Sequence, residues 1–235
     1  MEKLYFQRAA SLGLLFCLLA GTWAQTPLKT KKKKEHKSQT EVSVNECVSV
    51  DTLSLVSFND FHGAFASDKG VPGAGKLVQT ILTQKEQNKN TIVLSVGDNF
   101  SGSYFSRITR GNPLPEMFRE MDVKMSAVGN HEFDWGLEET LKYFDGDESN
   151  GEANFPLLSC NIIDKRTNSL PTNVKPSTVV ERNGLKIGII GYMGYGLEYS
   201  IATKQVENYE FVSPVDKVKE ASYKLHTIDK VDIVI

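Results

Sequence analysis

The sequence predicts an α/β fold built on a parallel sheet, and three observations carry that reading. Short apolar, β-branched runs begin at residues 53, 91 and 125, and a helical pattern lies between each pair. This β-α-β-α-β order has the spacing of right-handed crossover units. Each run is followed at once by side chains able to ligate a metal or handle a proton. Ligands of such sheets gather beyond the carboxyl ends of the strands.

Leu53–Phe58 reads as the first strand and leads into Asn59-Asp60-Phe61-His62-Gly63. Leu77, Val78, Ile81 and Leu82 recur at helical spacing, which predicts a helix over Lys76–Gln87. Thr91–Val96 is the second strand and ends in Gly97-Asp98. Pro113 and Pro115 then open a segment with Leu114, Met117, Phe118 and Met121 on one helical face. Met125–Val128 is the third strand, followed by Gly129-Asn130-His131-Glu132-Phe133-Asp134. Leu137, Leu141 and Phe144 continue as a helix face, and Asp145–Gly151 reads as a surface loop. Phe155–Ile163 and Val179–Val180 read as further strands, the latter turning through Glu181-Arg182-Asn183-Gly184 into Leu185–Ile190. Ser213 and Pro214 fit the N-cap and first position of a helix running to about His226. Val231–Ile235 reads as one more buried strand, and because the chain stops inside it, residues 48–235 are expected to be the N-terminal portion of a longer domain.

Composition agrees with a folded, exported protein. The chain has 235 residues, 40% hydrophobic and 24% charged, enough for one domain with a sizeable core. Residues 1–24 fit a secretory signal peptide: Lys3 and Arg8 precede an apolar run over Ala9–Ala20, and small residues flank Trp23. The run is shorter than the roughly 20 residues that span a bilayer, so no transmembrane segment is expected. A periplasmic, extracellular or cell-surface location follows. Residues 25–47 hold six lysines against three glutamates and are expected to be a basic, disordered linker. Residues 48–235 hold 19 Lys and Arg against 25 Asp and Glu. That acidic balance argues against nucleic acid as a partner and suits a site whose charge is offset by cations. Export permits a disulfide between Cys47 and Cys160, and two unpaired thiols or a pairing outside this chain are equal alternatives.

The three strand ends together supply Asp60, His62, Asp98 and Asn130, one imidazole and three oxygen donors. Mixed N/O sets suit Zn, Mn or Fe better than Ca. A carboxylate such as Asp98 can bridge two divalent ions, which lower the pKa of a shared water and neutralise phosphate oxygens. His131 lies beside Asn130, and Asp134 is placed to hold its imidazole in one tautomer. Such a pair suits protonation of a leaving oxygen.

Asn59-Asp60-Phe61-His62-Gly63, Gly97-Asp98-Asn99-Phe100-Ser101-Gly102 and Gly129-Asn130-His131-Glu132-Phe133-Asp134 resemble the first three motifs of the calcineurin-like metallophosphoesterases. The branch they resemble is the secreted 5'-nucleotidase / UDP-sugar hydrolase family, over roughly residues 50 to 235. The resemblance implies a two-sheet sandwich flanked by helices, with two divalent metal ions. Asp60 and His62 would bind one metal, Asp98 would bridge, and Asn130 would bind the second. His131 and Asp134 would be the catalytic dyad, and Glu132 a structural acid. The implied reaction is hydrolysis of a nucleotide or other phosphoester by a metal-bound hydroxide. The family's later histidine ligands and its nucleoside-binding C-terminal domain have no counterpart in these residues, so an exported, catalytically incomplete nucleotide-binding remnant is the competing reading.

Two other motifs carry less. Gly70–Lys76 approaches a phosphate-binding P-loop, but Leu77 stands where a Ser or Thr must reach Mg²⁺. It is expected to be a Gly-rich connection over the rim of the site. Asn99-Phe100-Ser101 is formally a glycosylation sequon, discounted because a glycan there would block Asp98.

Overall fold

A computed structural model describes residues 52–68 and 70–235. The expected signal peptide, the basic linker and Cys47 lie outside the described residues. The strands are β1 (Ser54–Phe58), β2 (Thr91–Ser95), β3 (Val123–Ala127), β4 (Leu157–Leu158), β5 (Ile162–Asp164), β6 (Val174–Lys175), β7 (Ser177–Arg182), β8 (Leu185–Ile190), β9 (Tyr209–Phe211) and β10 (Ile233–Val234). The helices are α1 (Gly73–Gln87), α2 (Tyr104–Thr109), α3 (Leu114–Glu120), α4 (Leu137–Leu141), α5 (Thr203–Val206) and α6 (Pro214–Lys224).

The main sheet has the order β1-β2-β3-β4-β6, with every neighbouring pair parallel. Its first four strands are laid down in chain order. Right-handed crossovers then put every connecting helix on the same face. That face is apolar and buried: Val93 and Val123 of the sheet pack with Ile81 of α1, Phe118 of α3 and Leu137 of α4. The other face is left for a second sheet, ordered β10-β8-β7. Side chains alternate across a strand, so Ile92 and Leu94 of β2 point the opposite way from Val93. They meet Val180 of β7 and Ile187 and Ile189 of β8 in a separate buried layer. A helical segment covers the far side of the second sheet, where a Cβ built on Gly188 would lie 2.8 Å from a Leu225 methyl. The result is a sandwich of two sheets between helices, as the resemblance implied.

Several elements differ from the sequence reading. The helix expected from Lys76 starts at Gly73, so Gly73 to Lys76 form its first turn rather than a loose connection. The third strand is displaced toward the N-terminus, Val123–Ala127 instead of Met125–Val128. The run Phe155–Ile163 breaks into β4 and β5, which belong to different sheets. The cause is Asn161, a buried polar side chain inside an apolar run. Its amide donates to the Met193 and Val212 carbonyls at 3.0 Å each and accepts from the Met193 N–H at 2.9 Å, which turns the chain out of the first sheet. The last strand is shorter than Val231–Ile235 and lies at the edge of the second sheet, with Ile233 and Ile235 exposed rather than buried. Ser213 stands at the N-cap of α6 but its hydroxyl makes no capping bond. The helix ends at Lys224 and continues as a π turn over Leu225–Asp229, past the expected end at His226. Among the described residues, no helix is long and apolar enough to cross a membrane.

Candidate active site

The candidate residues come from the loops that leave the carboxyl ends of β1, β2 and β3. Those loops are tied to one another through the backbone. The Asp60 N–H donates to the Gly97 carbonyl at 3.2 Å, the His62 N–H to the Asp98 carbonyl at 3.0 Å, and the Gly63 N–H to the Asn99 carbonyl at 2.8 Å. The geometry needs left-handed backbone at Asp60, His62 and Asp98, with φ of 54°, 50° and 57°. Asp and His tolerate that region better than most residues.

Close approach of the second and third loops depends on two glycines. A Cβ on Gly97 would stand 2.8 Å from the Gly129 nitrogen. A Cβ on Gly129 would stand 2.3 Å from Asp98 Oδ1. The gap they leave is filled by Glu132, which is fully buried. One of its oxygens accepts the N–H groups of Asp98 at 2.9 Å and Gly129 at 2.6 Å, and the other accepts that of Asn99 at 2.8 Å. Burial raises the pKa of this carboxyl against the opposing pull of those three bonds. Glu132 thus has the structural role expected of it.

Residues 129–134 divide by face. Glu132 and Phe133 point inward, and Phe133 packs edge-on against Tyr209, with ring centroids 5.5 Å apart. His131 and Asp134 point outward, and His131 Nδ1 donates to Asp134 Oδ2 at 2.8 Å. That bond leaves Nε2 facing the opening. Burial lowers the pKa of the His131 imidazole, but the Asp134 hydrogen bond and charge, with the charges of Asp98 and Glu132, outweigh it and raise the pKa above the ordinary value.

His62 and His131 meet edge to face, with ring centroids 4.5 Å apart. His62 Nδ1 lies 3.0 Å from the Ser101 carbonyl, an acceptor only, so Nδ1 donates there, and in the neutral imidazole that metal ligation requires Nε2 is the free lone pair. Nε2 lies 3.5 Å from Asp60 Oδ1. Two acceptors at this separation suit one shared cation, since ligands about 2.1 Å from a tetrahedral metal are about 3.4 Å apart. A carbonyl holding the other ring nitrogen is the usual companion of a metal-bound imidazole. Asp98 uses Oδ1 to accept the His131 N–H at 2.8 Å, and among the described residues Oδ2 has no hydrogen bond. The Asn130 side chain makes no capping bond to the turn it precedes. Among the described residues, no three His, Cys, Asp or Glu side chains converge on one cation position. The structure therefore pairs Asp60 with His62 and His131 with Asp134. It brings Asp98 against the dyad through the backbone and leaves Asn130 beside it.

The sequence reading missed part of the scaffold. The Asn99 side chain is fully buried, accepting from the Ser95 hydroxyl at 2.8 Å and donating to the Ser126 hydroxyl at 3.0 Å. The sequon is thus enclosed beneath the site, a stronger reason to discount it than its position next to Asp98. A register shift between β2 and β3 sets Ser126 opposite Ser95. The cue available in sequence was a polar residue directly after Asp98, read as part of the second motif and as a sequon but not as a buried anchor.

The family model for calcineurin-like phosphoesterases matches residues 53–230. The chain belongs to this family. Calcineurin-like phosphoesterases are hydrolases with a dinuclear metal centre, and the paired Asp60 and His62 fit one half of such a centre. Among relatives, the chain is 29% identical over 194 residues to an apyrase of Tabanus yao, covering 78% of this chain and 33% of the relative. It is 28% identical over 190 residues to a probable 5'-nucleotidase of Treponema pallidum, covering 74% of this chain and 30% of the relative. Among solved structures, a 5'-nucleotidase precursor of Thermus thermophilus superposes with a TM-score of 0.65 at 25% identity, over 77% of this chain and 36% of that one. The chain spans about a third of the length of these relatives.

Proposed function

We propose that this chain supplies the metal-binding, catalytic part of an exported phosphoester hydrolase that releases phosphate from nucleotides. The observation that carries this reading is the His131–Asp134 pair, set against Asp98 and in ring contact with His62 at the ends of adjacent parallel strands. In this reading Asp60, His62, Asp98 and Asn130 would hold the two divalent ions, and Zn or Mn would suit their mixed donors. Bound there, the ions supply an activated water at neutral pH and offset phosphate charge. His131 gives its Nε2 proton to the leaving oxygen, with Asp134 hydrogen-bonded to the other ring nitrogen. Asp134 fixes the tautomer and stabilises the imidazolium. The relatives named apyrase and 5'-nucleotidase support a nucleotide substrate. The signal-like residues 1–24 support export.

Phosphate release from a panel of nucleotides, with Mn²⁺ or Zn²⁺ and with a chelator control, tests the reading on the full-length product. Turnover should require metal and collapse in His131→Ala. Nucleotide binding without metal-dependent turnover would overturn it in favour of the non-catalytic reading.

A further inference from the structure

A second polar site lies at the opposite end of the main sheet. Three cations surround Asp122, just before β3: Lys85 Nζ is 3.1 Å from Oδ2, Lys124 bonds Oδ1, and Arg182 is 3.8 Å from Oδ2. One carboxylate cannot neutralise all three. The cluster opens on a groove of about 500 Å³ lined by Asp122, Lys124 and Arg182, with Arg119 on its wall. Arg119 makes no ion pair with any described residue, and its guanidinium bonds only the Glu152 carbonyl. Arg182 Nε is buried and has no hydrogen-bond partner. Glu181 also lines the groove, and its nearest cation is Lys186, at 3.9 Å.

Among the described residues, no carboxylate lies within hydrogen-bond distance of the Arg119 or Arg182 guanidinium, and an oxyanion is the natural partner of such a fork. We propose that this groove binds an oxyanion of the phosphate class, with Arg119 and Arg182 as its forks and Lys124 as an added charge. Planar guanidinium forks match tetrahedral oxyanions in a way a lone ammonium does not. The groove volume has room for a diphosphate as well as a single phosphate. The site is separate from the one at Asp98. The five residues of β3 lie between them, at about 3.3 Å per residue, so about 15 Å or more divides the two. A ligand here would act by binding the hydrolase, not by competing at its dyad.

The test is equilibrium binding of inorganic pyrophosphate to the full-length product by calorimetry, at fixed ionic strength and with chelator present to suppress binding through metal. The expected result is saturable one-to-one binding, retained in Asp98→Asn. It should weaken at least tenfold in Arg119→Gln and in Arg182→Gln, and by less in Arg182→Lys, which keeps charge but loses the fork. Circular dichroism melts identify any variant that fails to fold. Arg119→Gln, whose guanidinium sits outside the Asp122 cluster, decides the question if Arg182→Gln unfolds. No saturable binding, or equal affinity in the folded arginine variants, would overturn the proposal. So would loss of binding in Asp98→Asn with the arginine variants unaffected.

Discussion

Gly129→Ala tests whether Asp98 is a working residue, because it perturbs that side chain without touching its chemistry. The added Cβ would lie 2.3 Å from Asp98 Oδ1 and 2.8 Å from both Asp98 Cγ and the Asp98 nitrogen. An ordinary contact needs about 3.4 Å or more, so the carboxylate must retreat by about 1 Å. The nitrogen cannot follow freely, since it is bonded to Glu132. Overpacking of this kind costs about 1–3 kcal/mol. Gly129 has no positive φ, so alanine is conformationally permitted and recovers about 0.4–1 kcal/mol by restricting the unfolded chain. The net loss is then about 0–2.5 kcal/mol, a fall in melting temperature of up to about 10 °C at about 2–4 °C per kcal/mol. Turnover should suffer more, because misplacing a reacting group by about 1 Å can cost about 10²-fold. The assay pairs a thermal melt with metal-dependent phosphate release. A variant that melts as expected yet turns over at the wild-type rate would refute the placement of Asp98 in the reaction.

Further expectations rest on the same contacts. Glu132→Ala strands the N–H groups of Asp98, Asn99 and Gly129, and at about 1–3 kcal/mol per orphaned donor it should lower stability by about 3 kcal/mol or more, read as a reduced urea midpoint. His131→Ala should lower turnover about 10²–10⁴-fold with little effect on the melt, because the ring packs only at the surface of the site. Asp134→Asn removes the charge that raises the His131 pKa and leaves only a neutral amide oxygen as the acceptor for Nδ1–H, so that pKa falls and the alkaline limb of the pH–rate profile should move to lower pH. Burial raises the Glu138 pKa, but its own backbone N–H, the Tyr209 hydroxyl and Arg166 outweigh that and lower it. A depressed carboxyl stabilises the fold above its unfolded pKa and loses that effect as pH falls through the folded value. Arg166 also holds Asp164 at 2.7 Å and lowers that carboxyl, so the stability gap between wild type and Arg166→Ala should be present at pH 7 and close only as pH falls through the lowered folded values of both Glu138 and Asp164, as followed by denaturation at each pH.

The parallel half of the fold was legible because its signals are local. A β-branched run, a polar cluster at its end and a helical face occur three times within residues 53–144, and each unit is sufficient by itself. The hairpin was legible for the same reason: Asn183 and Gly184 both take positive φ, at 49° and 78°, as a two-residue turn between strands requires. The second sheet was harder to place. Nothing within Phe155–Ile163 says that Leu158 joins one sheet and Ile162 another. That depends on carbonyls at Met193 and Val212, far along the chain, which Asn161 must reach. The short helix α2 was invisible because its six residues expose Tyr104, Phe105 and Ile108 and bury Ser106, the reverse of the pattern that reveals a helix.

The site residues were legible as a set, but the arrangement that makes them a site was not. Left-handed backbone at Asp60, His62 and Asp98 costs of order 1 kcal/mol or more per residue. Bonds between loops offset this cost. The His62 N–H holds the Asp98 carbonyl, the Ser103 N–H holds the His62 carbonyl, and Glu132 holds the Asp98 N–H from below. Each strained residue is therefore fixed by a partner on a different loop, and none of the three loops can keep its shape alone. Sequence shows which side chains stand at the strand ends. The cross-loop bonds set the Asp60–His62 pair beside the His131–Asp134 pair, with the two imidazole rings 4.5 Å apart. A substitution at Glu132 or Gly129 should then disturb both pairs together, although neither residue carries a group that the proposed reaction uses.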